Sequence, residues 1–292
     1  MSTVAYEIVD VFTDRPFAGN PLAVVFDAQA LAGDQMQALA REFHLSETVF
    51  LLPPSGPDAT YRVRIFTPEA ELPFAGHPSV GAAVTALRRG LTGAGRLIQE
   101  CGAGLLPVEV TDAGTATLTG GTPSIGPATS DSSALLGLVG LAADDLVPGA
   151  VPGVAGCGLE FTFLPVQRGA LGRAWADAAV AARLGVPQIC VFAWDGEARA
   201  AYSRVFCPGV SVPEDPATGS AALGLGVWLV GAGWLPADGL SGYVVHQGVE
   251  MHRPSVLTCT VTSVGGTAGA ATVSGHVVPV ARGEIAVPPF VG

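Results

Sequence analysis

RIFTPEAELPFAGHPSVGAA, Arg64 to Ala83, decides the fold, because it has a partial echo later in the chain, RVFCPGVSVPEDPATGSAAL, Arg204 to Leu223. Each copy opens as a short apolar strand ending in Phe-x-Pro, at Phe66 to Pro68 and at Phe206 to Pro208. Each then runs through a loop with acidic residues to a Gly-polar pair, Gly76-His77 in the first and Gly219-Ser220 in the second. Each closes in a run of small and apolar residues that predicts a buried helix. The two loops differ in length, so the pattern is a diverged duplication and not a tandem array. What the copies share physically is a glycine at a helix start, where backbone N–H groups point outward without intrahelical partners. Such a start favours an anion. Two of them facing each other would hold a small carboxylated molecule between two similar halves.

Composition narrows the function classes. A chain of 292 residues with 49% hydrophobic and 13% charged content is globular, with core enough for one large domain or two ordinary ones. The net charge is −11 and the basic residues are scattered, so no patch invites a phosphate backbone and no nucleic-acid partner is expected. All 14 basic residues are arginine. Without lysine there is no lysine Schiff base and no phosphate-loop lysine. The five cysteines are odd in number and far apart, with neither a CxxC nor a Cys/His zinc spacing, which predicts buried thiols and no metal site. MSTVAYEIVD passes straight into a strand pattern without a charged-then-apolar leader, which predicts a cytoplasmic protein. Gly219 to Leu235 is 17 residues without a charge, at the short end for a membrane span. It is glycine-rich, lacks flanking arginines and follows an Asp-Pro turn, so a core helix in a soluble protein is expected.

The rest of the chain reads as mixed α+β. Strands are predicted at Tyr6–Phe12 and Leu22–Phe26 around the turn FAGNP, then at Val49–Leu52, Thr60–Phe66, Gly95–Cys101, Leu105–Val110 and Thr115–Leu118. A helix over Gln35–Phe43 places Met36, Leu39, Ala40 and Phe43 on one face, and a second follows over His77–Arg89. Gly120–Ser130, GGTPSIGPATS, has the composition of a linker. Beyond it come a looser helix at Leu135–Leu141, an Ala-rich helix at Ala174–Leu184 and a strand at Ile189–Trp194. The tail carries strand patterns at Gly242–Val245, Ser255–Val261, Ala271–Val280 and Glu284–Val287. The order strand, helix, strand, strand, helix thus recurs. It predicts antiparallel pairs wrapped around a central apolar helix in each half.

Taken singly, the candidate site residues are unremarked. Glu47, between a helix end and a strand, reads as a solvated edge residue. His77 reads as a helix-start histidine, and Asp215 as an Asp-Pro turn or cap. Together His77 and Asp215 carry more, because they fall in equivalent loops of the duplicated unit. Proton transfer at carbon needs a base and an acid around one substrate, and a carboxylate with an imidazole supplies both. Ser79 lacks the first glycine of a nucleophile elbow, and Gly156-Cys157-Gly158 lacks the third glycine of a dinucleotide fingerprint. His246, His252 and His276 have no metal spacing. Arg253, in HRPS, fits either a structural ion pair or a contact to a substrate carboxylate.

Five segments in order, DVFTDRPFAGNPLAVV, LSETVFL, RIFTPEAELPFAGHPSVGAA, EDPATGSAAL and QGVEMHRPS, resemble the phenazine-biosynthesis isomerase family (PhzF-like), which shares the diaminopimelate epimerase fold. The resemblance implies two similar domains, each a barrel-like, mostly antiparallel sheet around a central helix. The first would cover residues 1–120, completed by the last strand at about 278–292, and the second residues 125–277. It implies an active site between them, a homodimer and no cofactor. By that resemblance Glu47 is the acid/base, with His77 and Asp215 assisting, while Gly76, Gly219 and Ser220 bind the substrate carboxylate. The epimerase and racemase relatives use a pair of cysteines at these helix starts; here no cysteine stands at either junction, so a two-thiol racemase is not expected. The expected function is a cofactor-independent isomerase moving a proton on a small carboxylated metabolite, dihydro-hydroxyanthranilate-like or amino-acid-like. A related epimerase, cyclase or dehydratase is the neighbouring alternative, separated by a substrate screen. A non-catalytic small-carboxylate binder is the alternative from another class, marked by binding without solvent-deuterium uptake.

Overall fold

The computed structural model describes residues 2–128, 132–210 and 212–289. By its internal contacts the chain divides into two units, Met1–Leu118 with Ser274–Gly292, and Thr119–Val273.

Unit 1 starts with β1 (Thr3–Val11) and β2 (Asn20–Val25), then α1 (Gly33–Phe43), β3 (Glu47–Leu52), β4 (Tyr61–Phe66) and the short β5 (Glu71–Leu72). After these come α2 (Gly76–Arg88), β6 (Gly95–Cys101), β7 (Gly104–Thr111) and β8 (Thr115–Thr119). Unit 2 contains β9 (Pro123–Ala128), α3 (Ser132–Leu138), β10 (Gly153–Cys157), β11 (Glu160–Pro165), α4 (Ala178–Leu184), β12 (Ile189–Asp195), β13 (Ala200–Cys207) and β14 (Val212–Asp215). It continues through α5 (Gly219–Gly231), β15 (Gly239–Gln247) and β16 (Ser255–Val264) into β17 (Thr267–Ala286), which from Ser274 onward belongs to unit 1.

Pairing in unit 1 runs β17–β1–β2–β3–β4–β6–β7–β8 and returns from β8 to β17, a closed barrel of eight strands. Closure leaves no sheet edge exposed. The steps β2–β3 and β4–β6 are parallel, because a helix intervenes at each, while β17–β1, β1–β2, β3–β4, β6–β7 and β7–β8 are antiparallel. Unit 2 repeats the sequence of directions along β9–β10–β11–β12–β13–β15–β16, with β11–β12 and β13–β15 parallel. The duplication read from the two site stretches therefore extends to the strand order of both units.

Each barrel is filled by its small-residue helix. In α2 every residue from His77 to Ala86 is buried, and in α5 every residue from Ala221 to Val230. Glycine lets these helices approach the wall. A Cβ at Gly81 would stand 2.4 Å from Leu22 Cδ2, and one at Gly226 2.3 Å from the Tyr243 hydroxyl. Thus α5 is a buried helix of 13 residues, and among the described residues no helix is long and apolar enough to cross a membrane. Outside the first barrel, Met36, Leu39 and Ala40 of α1 pack on Val25, Phe50 and Phe66, with Phe43 partly buried beside them.

Three sequence expectations are corrected. Gly120–Ser130 is not a linker through its middle: β9 pairs with β10, and Gly126 serves close approach, since a Cβ there would meet Val154 Cβ at 2.9 Å. Thr129 and Ser130 lie outside the described residues. The tail patterns Ala271–Val280 and Glu284–Val287 are one strand, β17, carried past Pro279 by a bulge opposite Ile8 and Val9. The Ala-rich helix starts at Ala178 rather than Ala174, because the Asp177 carboxylate accepts from the N–H groups of Ala179 and Val180 and fixes the N-cap there.

Candidate functional site

Unit 1 brings Glu47 and His77 together from separate elements. Glu47 is the first residue of β3 and His77 the second of α2, and His77 Nε2 lies 3.5 Å from Glu47 Oε2. The histidine is 5% exposed. The Glu47 side chain keeps 17% of its surface open, yet its Oε2 is shut from solvent. Burial pushes the Glu47 carboxyl up to about 7, with the neighbouring Ser46 hydroxyl pulling the other way. A carboxylate poised there is a base matched to neutral pH.

Behind the pair stands Asn20, the first residue of β2 and fully buried, with Nδ2 3.4 Å from His77 Nδ1. Ser46 Oγ donates to Asn20 Oδ1 at 3.3 Å. The turn leading to Asn20 is tightly fixed. The buried Asp10 carboxylate accepts from the Phe17 N–H at 2.7 Å, and Gly19 has φ +68°, with Val11 O 2.3 Å from where a Cβ would sit. Neither Asn20 nor Ser46 was singled out by sequence reasoning. FAGNP looks like an ordinary turn, and a buried amide that serves another side chain leaves no periodic signal.

Unit 2 holds Asp215 at the end of β14, with Gly219 and Ser220 opening α5. The Thr218 hydroxyl donates to Asp215 Oδ2 at 2.5 Å. Gln247, at the end of β15 and 1% exposed, ties the turn together: its Nε2 donates to Asp215 O at 2.7 Å and Thr218 Oγ1 at 3.0 Å, and its Oε1 accepts from Thr218 N–H. Ser255 Oγ donates to Pro216 O at 2.9 Å, and Arg204 grips Glu214 with two hydrogen bonds of 2.8 and 2.7 Å. Gln247 stands in the QGVEMHRPS segment, yet the role it plays is set by a turn some 30 residues away in sequence. Arg253 lies in that segment, half-buried, with its backbone N–H on Gly248 O.

The two helix starts are alike. Gly76 and Gly219 are each the first helical residue, and each is preceded by an extended N-cap residue, Ala75 or Thr218, whose side chain makes no cap hydrogen bond. Alanine has no acceptor to offer, and the Thr218 hydroxyl is spent on Asp215. First-turn amides without a side-chain cap are the groups that receive an external anion.

Other candidates resolve into structure. Ser79 is fully buried; its hydroxyl donates to Ala75 O and accepts from Gln99 Nε2, both at 2.8 Å, so it is no nucleophile. His246 stacks on Tyr202 with ring centres 5.0 Å apart. All five cysteines are free, and burial raises the thiols of Cys157, Cys190 and Cys259, the last to about 12, which keeps them protonated. Among the described residues no three His, Cys, Asp or Glu side chains are grouped to hold a metal. A cleft of about 690 Å³ in unit 2, lined by Arg168, Trp194, Tyr202 and Trp234, contains none of the site residues, so its size does not locate the chemistry.

Comparison with known proteins matches these features. The chain is 36% identical to an uncharacterized isomerase of Mesorhizobium japonicum, over 98% of this chain and 99% of that one. It is 34% identical to the trans-2,3-dihydro-3-hydroxyanthranilate isomerase of Pseudomonas aeruginosa, over 96% and 98%. The crystal structure of a Bacillus anthracis phenazine biosynthesis protein of the PhzF family superposes with a TM-score of 0.88 at 26% identity, covering 98% of this chain and all of that one. A hydroxyproline epimerase from Agrobacterium vitis shares the fold alone, with a TM-score of 0.67 at 13% identity over 97% and 92%. The family model for phenazine biosynthesis-like proteins matches residues 9–283, and with the barrel fold and the relatives it places this chain in that family, as an isomerase of the PhzF type.

Proposed function

We propose that the protein is a cofactor-independent isomerase that moves a proton between carbons of a small carboxylated metabolite, with Glu47 as the base. The observation that carries this reading is the buried Glu47–His77 pair, 3.5 Å apart, with the carboxyl lifted to about 7 by its surroundings. An ordinary carboxylate is too weak a base for a carbon acid, and a raised one at neutral pH is both stronger and still half deprotonated. Glu47 takes a proton from one carbon as that C–H bond breaks. The electron pair spreads into the conjugated system, and Glu47 returns the proton to another carbon and is restored.

Each half contributes what its geometry suits. Glu47, His77 and the Gly76 helix start come from the first domain. Asp215 and the amides of Gly219 and Ser220 come from the second. His77 and Asp215 support developing charge, and the uncapped helix starts hold the carboxylate. The protein works as a cytoplasmic homodimer. The neighbouring possibilities, epimerisation, cyclisation or dehydration, use the same base.

The test is incubation in deuterated water with trans-2,3-dihydro-3-hydroxyanthranilate, the compound named for the Pseudomonas aeruginosa relative, beside a Glu47→Gln variant, followed by NMR. Isomerisation or deuterium uptake that disappears in the variant supports the reading. Undiminished turnover by Glu47→Gln removes its core, and silence in both samples discards that substrate.

A further inference from the structure

We propose that Asn20 is a positioning residue that holds His77 neutral, with its one ring proton on Nε2 and aimed at Glu47. The inference rests on Glu47 being the base and says how that base is kept strong. The Asn20 amide nitrogen, which can only donate, faces His77 Nδ1 at 3.4 Å. Its orientation is set from the other end, where Oδ1 accepts the Ser46 hydroxyl at 3.3 Å. A donor aimed at Nδ1 requires a lone pair there, so a proton on Nδ1 would meet another N–H. The neutral ring then carries its proton on Nε2, the nitrogen 3.5 Å from Glu47 Oε2. Both Asn20 and His77 are buried, so water does not supply the competing partners.

The chemical consequence concerns the carboxylate. A positive imidazolium this close would favour ionised Glu47 and draw its titration down by roughly 1–3 units, making it a poorer base. A neutral ring orients the carboxylate without that cost. The charged groups around the pair come from three elements. Glu47 from β3 and His77 from α2 face each other, and from β1 the Asp10 carboxylate is engaged by the Phe17 N–H. Asn20 from β2, Glu47 from β3 and His77 from α2 thus set where the ring proton lies.

Nitrogen-15 NMR of the imidazole rings reads the tautomer directly, with the His77 signals assigned by their loss in His77→Gln. From pH 6 to 8 the wild-type ring is expected to show a bare Nδ1 and a protonated Nε2. Asn20→Asp, which places an acceptor against Nδ1, is expected to show both nitrogens protonated over the same range. In that variant the acid limb of kcat/KM moves down by about one pH unit or more, and the plateau falls. A wild-type ring protonated on Nδ1, a fast average of tautomers, or an Asn20→Asp ring like the wild type overturns the proposal. The wild-type spectrum needs no substrate, so a failed isomerase assay leaves this result decided on its own.

Discussion

Replacing Glu47 by glutamine should make the folded protein more stable, and more so as pH rises. In the fold the carboxyl titrates at about 7 against an ordinary 4.5, with burial as the principal cause. Between those values the folded state holds a proton that the unfolded chain has released. Stability therefore falls as pH climbs from about 4.5 to 7, and the loss is complete above 7. At 1.36 kcal/mol per unit the full penalty is roughly 3 kcal/mol, a ceiling because part of the side chain remains open. Glutamine keeps the shape and an acceptor for His77 Nε2–H but carries no charge to desolvate. About 2 kcal/mol of relative stabilisation should therefore appear between pH 5 and pH 8.

At this chain length 1 kcal/mol corresponds to about 2 °C in Tm, so thermal unfolding by circular dichroism should show the Glu47→Gln curve several degrees above wild type at pH 8 and nearly level with it at pH 5. Turnover, in the same samples, should vanish. A gap between the two proteins that does not change with pH refutes the reasoning, and so does a variant that is less stable at pH 8. Either result means that Glu47 ionises without strain, and that the base is not held ready by its surroundings.

Three further substitutions probe the frame around the site. Gln247→Leu removes that side chain's three bonds to Asp215 O and Thr218, and should lower kcat by about 10- to 100-fold, measured at saturating substrate, with about 1–3 kcal/mol of stability lost to urea. Ser79→Ala should keep its turnover and lose about 1–2 kcal/mol, because the hydroxyl serves only Ala75 O and Gln99; a dead but folded variant would restore it as a candidate nucleophile. Gly19→Ala drives a Cβ to 2.3 Å from Val11 O at φ +68°, and should lower Tm markedly, by the equivalent of about 1–3 kcal/mol or more.

How much of this was legible in the sequence depended on whether the cause was local. The paired stretches at Arg64–Ala83 and Arg204–Leu223 showed the duplication, because glycine at a helix start and a small-residue helix are needed wherever a barrel is filled by its own helix. Composition misled where one residue type serves two ends. Gly126 in the supposed linker makes room for Val154, and the two tail patterns are one strand in which Pro279 still pairs with Val9, the bulge lying just beyond it.

Glu47 was the residue least readable on its own, and the reason is physical. Nothing within a turn of it marks it as more than the edge of a strand. Its character is imposed by burial, with His77, 30 positions on, set against it and Asn20, 27 positions back, set against His77. A base of this kind is made by what buries it, so it cannot announce itself in local sequence. What could have pointed to it is the cost of the arrangement. Asn20 is a fully buried amide opening a strand, held by a glycine with no alternative, and a chain retains such a group where a buried polar partner needs it. The same reasoning makes Gln247 its counterpart in the second unit, a buried amide at the end of β15 whose bonds all go to the turn that carries Asp215 and opens α5. In each barrel one buried amide fixes the groups beside a helix start: a ring in the first, a turn in the second. Exchanging either for an apolar residue should therefore lower the turnover of the folded protein as well as its stability, whereas a purely structural amide would lower stability alone.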